Sequence, residues 1–358
     1  MKAGAIRSRV QAISRKMKED GINCLLITKS ANVSYTTGFM GEDSWAVVIN
    51  GRSFLITDSR FTEQAQKECP VYSIVERHEP LAQAAAKVIK KYKSVKNVSV
   101  ENSTSVADYA QIKKAFKMPL KAAGSIIEDI RSVKDKGEHA ILQTAADIAA
   151  KGLAHTVPSI KPGITESELA GMVDFQIRKL GAMNGFETIV AFGPNASRPH
   201  HQPGQRNLKK NDTILIDFGA KYKGYRSDIT RCFVMGKPSS YYMKVFDVVE
   251  KAQAAAIKLM KAGAALKDVD AAPREVIKES GLPVYGHGSG HGIGWEIHEN
   301  PFLKPEATDV LQAGQILTIE PGIYMPNKLG VRIEDDVLIT ETGCKILTKN
   351  CPHSPLLK

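Results

Sequence analysis

Two acidic residues flank a short turn near the middle of the chain. Asp217 lies in the apolar run 214–219, and Asp228 lies in the following run 225–231. If residues 221–224 form the turn of a β-hairpin, Asp217 and Asp228 stand at equal distances from its centre and face each other. Opposed residues have Cβ atoms about 4.5–5.5 Å apart, where like charges destabilise a sheet. The spacing therefore predicts a cation between the two carboxylates.

A second pair of acidic residues has the same arrangement near the C-terminus. Glu320 lies in residues 318–322 and Glu334 in residues 331–335, on either side of a turn around Asn327 and Lys328. The same pairing argument predicts that these two carboxylates converge.

A segment rich in glycine and histidine separates the two predicted hairpins. Residues 286–294 read GHGSGHGIG and include His287 and His291, and His298 follows in the run EIHE at 296–299. Dense glycine lets the backbone approach a ligand closely, and imidazole nitrogen can bind a metal or a substrate.

Four carboxylates and one histidine form a donor set with much oxygen, one nitrogen and no thiolate. Such a set suits hard or borderline divalent ions such as Mn, Co or Zn. Carboxylates that can bridge favour two ions, and a pair about 3.5–4 Å apart can hold a hydroxide and polarise a carbonyl. We therefore expect a site for two divalent metal ions that catalyses hydrolysis.

Each motif taken alone also has an ordinary structural explanation. A single Asp on a strand is commonly a surface residue or a turn former, and a single His in a Gly-rich loop is commonly structural or solvated. The occurrence of both hairpins and the Gly-His segment in one chain favours the metal site.

The elements before residue 128 predict a small α/β domain. Residues 6–17 place Ile6, Val10, Ile13 and Met17 on one helical face. Strand-like runs follow at 22–28, 45–50, 53–57 and 95–100, with Gly51-Arg52 as a hairpin turn, and helix-like runs lie at 80–92 and 106–116. This alternation predicts one domain over residues 1–127.

A second domain is predicted over residues 128–358. It opens with a long Ala-rich helix at 132–157, and Thr165 and Glu168 have the spacing of a capping box at the next helix. The stretch 161–181 resembles the stretch 261–281 at an offset of 100 residues, including the KxG at the start of each. This similarity suggests two related halves, with chance matching of small residues and lysines as the alternative.

The composition argues against a disordered protein, a collagen-like repeat and a disulfide scaffold. With 358 residues, 43% hydrophobic and 24% charged, the chain has the composition of a soluble globular protein of two domains or one large one. Five scattered cysteines without CxxC spacing favour a reducing compartment, and neither a signal peptide nor an apolar run of the roughly 18 residues that span a membrane is present. We therefore expect a cytoplasmic protein without a membrane partner.

The net charge of +11 raises the question of a polyanionic partner. Clustered lysine and arginine bind phosphate. Here the basic residues are interleaved with acidic ones and lack the stacking aromatics of a single-strand binder, which favours a solvated surface. We do not expect a nucleic-acid partner.

Together the motifs resemble the pita-bread metallopeptidases, in the branch of aminopeptidase P and prolidase, over residues 132–349. The resemblance implies an α/β (α+β) chain with a creatinase-like N-terminal domain before a pita-bread catalytic domain with pseudo-twofold halves. It also implies two divalent metal ions, with Mn as the favoured ion and Co or Zn as the alternatives. Their ligands would be five residues: Asp217, Asp228, His291, Glu320 and Glu334.

The resemblance also implies roles for the other residues of the motifs. His200, His298 and Glu320 would act in catalysis, with His200 rather than its neighbour His201 at the expected spacing. His287 would line the substrate pocket. Arg332 would contact the substrate or orient the metal-binding carboxylates.

The resemblance implies an enzyme that removes the N-terminal residue from a peptide with proline in the second position. It also implies that the protein is a homodimer. One departure bears on the substrate, because prolidases of this branch often carry Arg shortly after the His-Glu motif, where this chain has Phe302. Longer Xaa-Pro peptides are therefore favoured over dipeptides, which stay possible. The alternatives are a non-catalytic pita-bread module that binds protein or nucleic acid, a creatinase-like hydrolase that works without metal, and a methionine aminopeptidase.

Overall fold

The computed structural model of the protein describes residues 3–357. The chain divides into two compact units, of which the first ends at Arg131 and the second begins at Ser132. None of the helices in the described range is long and apolar enough to cross a membrane.

The first unit is built on one six-stranded sheet. Its strands are β1 (Cys24–Ile27), β2 (Trp45–Ile49), β3 (Arg52–Thr57), β4 (Ser73–Glu76), β5 (Val98–Val100) and β6 (Leu120–Ala122). Its helices are α1 (Ala3–Glu19), α2 (Ser30–Thr37), α3 (Thr62–Glu68), α4 (Leu81–Lys90), α5 (Val106–Phe116) and α6 (Ile126–Ser132). The strand order is β4-β3-β2-β1-β5-β6, and β2 alone among these strands runs antiparallel to both neighbours.

Local sequence patterns account for most of this unit. The predicted apolar stripe of α1 is confirmed, since Ile6 and Ile13 are fully buried. The turn between β2 and β3 is Asn50-Gly51 rather than the predicted Gly51-Arg52, because both of its residues have positive φ (46° and 77°) and Arg52 pairs with Ile49. Such a two-residue turn matches the twist of the strands that it joins.

The expected boundary between residues 127 and 128 falls inside α6. This helix continues to Ser132, so the division of the chain lies at its end. The helical stretch predicted over residues 132–157 is interrupted after Ser132, and α7 begins at Lys136. Asp135 accepts hydrogen bonds from the backbone N–H groups of Gly137 and Glu138 and so begins a new helix.

The second unit contains four long helices and several antiparallel sheets. Its helices are α7 (Lys136–Thr156), α8 (Glu166–Lys179), α9 (Ser240–Leu259) and α10 (Leu266–Glu279). Its first strands are β7 (Met183–Asn184), β8 (Ile189–Phe192), β9 (Thr213–Phe218), β10 (Ala220–Tyr222), β11 (Tyr225–Arg226) and β12 (Ile229–Val234). The later strands are β13 (Gly290–Gly292), β14 (Glu299–Leu303), β15 (Ile316–Ile319), β16 (Gly322–Met325), β17 (Leu329–Arg332), β18 (Asp335–Ile339) and β19 (Cys344–Ile346).

The second unit consists of two halves with the same order of elements. In the first half α7 and α8 precede the antiparallel strands β8-β9-β12, and in the second α9 and α10 precede β13-β15-β18. Each helix pair packs on the strands of its own half, with Leu169 and Ile216 in one core and Val269 and Leu317 in the other. The predicted pseudo-twofold arrangement is confirmed.

Corresponding backbone hydrogen bonds also occur in the two stretches that are 100 residues apart. The N–H of Gly163 donates to the carbonyl of Leu208 (2.9 Å), and the N–H of Gly263 donates to that of Leu311 (2.8 Å). Both glycines have positive φ, and both are followed three residues later by the first residue of a helix. The sequence similarity therefore reflects a repeated local structure rather than chance.

The predicted capping box at the start of α8 is present. The Thr165 side chain accepts the N–H of Glu168, and the Glu168 carboxylate accepts the N–H of Thr165 (2.7 Å). We predict that Thr165→Ala lowers the free energy of unfolding of the second unit by about 1 kcal/mol. Denaturant unfolding followed by circular dichroism measures the change.

Thr144→Ala is the matched control. Thr144 lies within α7 and its hydroxyl donates to the carbonyl of Ala140 in the same helix (2.8 Å). Because Ala is the better helix former, this variant should lose no stability. Equal effects of the two substitutions would contradict a specific contribution of the cap.

Candidate metal centre

The first hairpin pairs Asp217 with Thr230 and not with Asp228 as predicted. Its turn is Lys223-Gly224, with φ of 48° and 90°, so the centre lies one residue further along than the sequence argument assumed. This shift moves every partner by two residues. Because side chains alternate between faces along a strand, Asp228 remains on the same face as Thr230 and Asp217.

The hairpin is interrupted beside Asp228. Strands β9 and β12 pair up to Phe218 and Ile229, and β10 and β11 pair beyond the gap. A Cβ atom on Gly219 would lie 1.9 Å from the carbonyl oxygen of Ser227, so only glycine permits this close approach. The interruption leaves the Asp228 side chain outside the regular ladder, where it faces the cavity.

The second hairpin is interrupted at its two acidic residues. Ile319 pairs with Asp335 on one side of the gap, and Gly322 pairs with Arg332 on the other. Glu320 and Glu334 lie within the gap, and both line the same cavity as Asp217 and Asp228. The structure thus brings the second acidic pair together, as the sequence predicted.

The two hairpins meet at Thr230 and Glu334. These residues form an isolated antiparallel bridge, in which the N–H of Glu334 donates to the carbonyl of Thr230 (3.2 Å). The Thr230 hydroxyl also donates to the Glu334 carboxylate (2.6 Å). This bridge is therefore one of the contacts between the halves that set the relative position of the four carboxylates.

Three of the predicted ligands already form a compact donor group. Asp228, His291 and Glu334 are buried, and each offers one ligand atom within 4.8 Å of the others. Nε2 of His291 lies 3.7 Å from Oδ2 of Asp228 and 3.6 Å from Oε1 of Glu320. His291 lies on β13, so this group draws on both halves of the unit.

Electrostatics within this group favour a bound cation. Burial, followed by the charges of neighbouring carboxylates, raises the pKa of Asp228 and of Glu334 well above their usual values. Burial also raises the pKa of Glu320 to about 8 and lowers the pKa of His291 to about 4. His291 is thus neutral, the form that ligates a metal, while the carboxylates need positive charge in order to ionise.

Asp217 meets that need in part through Arg332. One guanidinium nitrogen donates to Oδ2 of Asp217 (2.6 Å), while Oδ1 is buried and has no hydrogen-bond partner among the described residues. Arg332 also donates to Thr230 (3.0 Å) and to the hydroxyl of Tyr324 (3.0 Å). The open carboxylate oxygen fits a second cation beside the compact group.

Three further histidines line the same cavity of about 300 Å³: His200, His287 and His298. The ring of His298 lies edge-on to that of His291, with centroids 4.4 Å apart. His287 stacks on Tyr285 at 4.7 Å, and its Nε2 lies 3.1 Å from the hydroxyl of Tyr324. Burial lowers the pKa of His287 to about 4 and also lowers that of His298, so both rings are neutral near pH 7.

His201 points to a different partner from its neighbour His200. Its Nε2 lies 2.9 Å from the Glu166 carboxylate, which also accepts the N–H groups of Phe192 (2.8 Å) and Gly204 (3.1 Å). Glu166 therefore holds the segment that presents His200 to the cavity. The sequence argument missed this residue, because an acidic residue in the first turn of a helix is common for reasons of helix polarity alone.

The remaining wall of the cavity is mostly apolar. It is formed by five side chains: Phe186, Ile189, Pro199, Ile297 and Phe302. The lining of the cavity therefore combines side chains that can bind metal with apolar side chains that can contact a small hydrophobic ring.

The chain matches two families of known domains. Residues 9–133 match the creatinase/prolidase N-terminal domain, and residues 140–341 match metallopeptidase family M24. The chain is 33% identical over 350 residues to an Xaa-Pro dipeptidase of Pyrococcus furiosus, covering 96% of this chain and 98% of the relative.

Two solved structures are similar over nearly the whole chain. An Xaa-Pro dipeptidase from Bacillus anthracis superposes with a TM-score of 0.94 at 34% identity, covering 98% of this chain and 99% of the other. An X-Pro aminopeptidase from Thermotoga maritima superposes with a TM-score of 0.88 at 35% identity, covering 96% and 99%. The chain therefore belongs to metallopeptidase family M24, with a creatinase/prolidase N-terminal domain and a pita-bread catalytic domain.

Proposed function

We propose that this protein hydrolyses the peptide bond between an N-terminal residue and a following proline, using two divalent metal ions. The observation that carries the proposal is the convergence on one cavity of five side chains able to bind metal and three further histidines. The names of the similar proteins, which include Xaa-Pro dipeptidases and an X-Pro aminopeptidase, support the same substrate class.

The proposed ligands are the five residues Asp217, Asp228, His291, Glu320 and Glu334. Bound ions would supply an ionised water as nucleophile at neutral pH and would polarise the scissile carbonyl. We propose manganese as the ion, with cobalt or zinc as alternatives, because the set is rich in oxygen and contains no thiolate.

The chain's own groups would position the substrate and move protons. We propose that the Glu320 carboxylate accepts a proton from the attacking water and passes it to the leaving nitrogen. His298 would donate a hydrogen bond to the oxygen of the tetrahedral intermediate, and His200 would contact the scissile peptide. His287 would line the substrate pocket, and Arg332 would hold Asp217 in place.

Proline in the second position fits the apolar side chains that line the cavity. A peptide bond to proline has no N–H, and the ring fixes φ, so a pocket that recognises the ring can replace backbone hydrogen bonds. Phe186, Ile297 and Phe302 provide apolar surface next to the proposed metals. The free amine of the first residue would approach the carboxylates that line the cavity.

We propose that peptides longer than dipeptides are preferred. The carboxylate of an Xaa-Pro dipeptide lies close to the proline ring and needs a cationic partner. Among the residues that line the cavity, Arg332 is the one arginine or lysine, and its guanidinium already donates to Asp217, Thr230 and Tyr324. Phe302 takes the place, shortly after the His-Glu motif, at which prolidases of this branch often carry Arg, so we propose that a chain continuing past proline fits better.

We further propose that the enzyme works as a cytoplasmic homodimer. The five cysteines are free, as expected for a reducing compartment. Size-exclusion chromatography with light scattering tests the oligomeric state.

The direct test of the activity uses purified protein loaded with manganese. A peptide with the sequence Xaa-Pro-Xaa should release its first residue, and the matched Xaa-Ala-Xaa peptide should not. Chelation should abolish the release. Metal-independent cleavage, or equal cleavage of the two peptides, would contradict the proposal.

We predict that Asp228→Ala abolishes both activity and metal binding. Loss of this carboxylate leaves too little negative charge to hold two divalent ions against their mutual repulsion. Elemental analysis after dialysis measures bound metal, and peptide release measures activity. A variant that keeps two metal ions per chain would show that Asp228 is not a ligand.

For His298→Ala we predict retained metal and a kcat lowered about 100-fold, the usual size of a contribution from proton transfer or hydrogen bonding. His353→Ala is the matched control, since His353 is an exposed histidine paired with Glu250. Its kcat should not change. Unchanged turnover of the His298 variant would remove this residue from the mechanism.

We predict that Phe302→Arg shifts the preference towards dipeptides. A guanidinium at the edge of the cavity can pair with the dipeptide carboxylate, so kcat/KM for an Xaa-Pro dipeptide should rise about tenfold relative to a tripeptide, equivalent to about 1.4 kcal/mol. Val310→Arg adds the same charge at another exposed position and should leave the ratio unchanged. If wild type already prefers the dipeptide, the length preference proposed above is wrong.

A further inference from the structure

A buried ion pair on α10 holds the loop that carries His287. Asp270 is 1% exposed, and Arg274, one helical turn later, donates to both of its carboxylate oxygens (2.8 and 2.9 Å). Neither residue lines the cavity, so neither would touch a bound metal or substrate. The pair therefore has to act through what it contacts.

Arg274 binds the backbone of the loop at two points. Its guanidinium donates to the carbonyl of Tyr285 (3.0 Å) and to the carbonyl of His287 (2.6 Å). The same guanidinium lies over the ring of Tyr285, with the carbon 4.5 Å from the centroid. Tyr285 in turn stacks on the imidazole of His287. Both the backbone and the ring of His287 thus depend on the position of Arg274.

Asp270 binds the next part of the loop. Its Oδ1 accepts the backbone N–H of Ser289 (3.1 Å) and the Ser289 hydroxyl (2.7 Å). The carbonyl of Ser289 accepts the N–H of Glu320 (2.9 Å). A chain of hydrogen bonds therefore runs from α10 through the loop to the residue proposed as proton carrier.

We propose that Asp270 and Arg274 are positioning residues, which fix the orientation of His287 in the substrate pocket through residues 285–289. The role of His287 itself rests on the function proposed above. Arginine is required because its planar group reaches two carboxylate oxygens and two carbonyl oxygens at once, which the single ammonium of lysine cannot do. The carboxylate is required because the fixed positive charge of Arg274 is largely buried.

A double-mutant cycle tests whether Arg274 acts through His287. Arg274→Lys and His287→Ala should each lower kcat/KM for an Xaa-Pro tripeptide about tenfold, with most of the Arg274→Lys loss in KM. The double variant should resemble His287→Ala alone, because removing the ring leaves nothing to position. Losses that multiply would show that Arg274 contributes independently, which overturns the proposal.

A second measurement does not depend on the reaction. In Arg274→Lys, deuterium uptake by the amides of residues 285–290 should rise at least threefold in rate, because two backbone carbonyls of the loop lose fixed partners and the segment opens more often. Unchanged uptake in this segment would also overturn the proposal. Absence of Xaa-Pro cleavage by wild type, together with faster uptake in Arg274→Lys, would reject the proposed function and leave the positioning pair standing.

Arg206→Lys is the matched control. Arg206 also forms a partly buried ion pair with an aspartate of the same unit, Asp212 (3.0 Å), but it contacts neither the loop nor the cavity. This variant should keep wild-type kcat/KM and normal uptake at residues 285–290. If Arg274→Lys does not fold, Ser289→Ala takes its place, since it removes the hydroxyl that joins Asp270 to Tyr285. The same pattern of coupling to His287 is then required.

Discussion

Repulsion among buried carboxylates is the constraint on which this catalytic unit depends. Asp228, Glu320 and Glu334 lie in one cavity, where burial and mutual charge raise their pKa values. Such a cluster costs folding free energy unless positive charge enters it. Arg332 provides part of that charge at Asp217, whose Oδ1 is buried and has no hydrogen-bond partner among the described residues, so a cation would complete the balance. The same repulsion among carboxylates thus lowers the stability of the unit and favours the binding of metal.

The backbone around the cluster is arranged to keep the carboxylates out of regular strand pairing. Both hairpins pair on either side of a gap, and Asp228, Glu320 and Glu334 lie in the gaps. A continuous ladder would direct successive side chains to opposite faces at fixed spacing. The gaps allow the carboxylates to turn towards His291, and the bridge between Thr230 and Glu334 fixes one hairpin against the other. Each half of the unit is therefore incomplete as a metal site by itself.

Each half of the unit contributes a helix whose buried carboxylate holds a histidine-bearing segment in place. Glu166, at the start of α8, holds the segment of His200 through His201 and two backbone N–H groups. Asp270 on α10 holds the loop of His287 with the help of Arg274. The helices α8 and α10 thus each provide a buried carboxylate that holds a loop at the cavity, where the substrate would bind. Loops can hold functional side chains in fixed positions when buried carboxylates bind the loop backbone.

Local patterns in the sequence determined much of this protein. The buried stripe of α1 and the capping box of α8 depend on neighbours within a few positions, and the repeat at 100 residues is visible as similarity between two stretches, so all three could be predicted. The acidic residues of the two hairpins could also be predicted to converge. That prediction survived an error in the turn of the first hairpin, because displacing the centre by one residue moves each partner by two and keeps it on the same face.

Other features were decided only by the tertiary structure. The pairing of Asp217 with Thr230 depends on the conformation of Lys223-Gly224, and several turns were compatible with the sequence. The bridge from Thr230 to Glu334, the contact of His201 with Glu166 and the hold of Asp270 on Ser289 join residues distant in the chain. Such contacts leave no periodic signal, since a buried acid and an exposed acid look the same in sequence. Only packing of the two halves determines which acids lose water and must therefore find a partner or a metal.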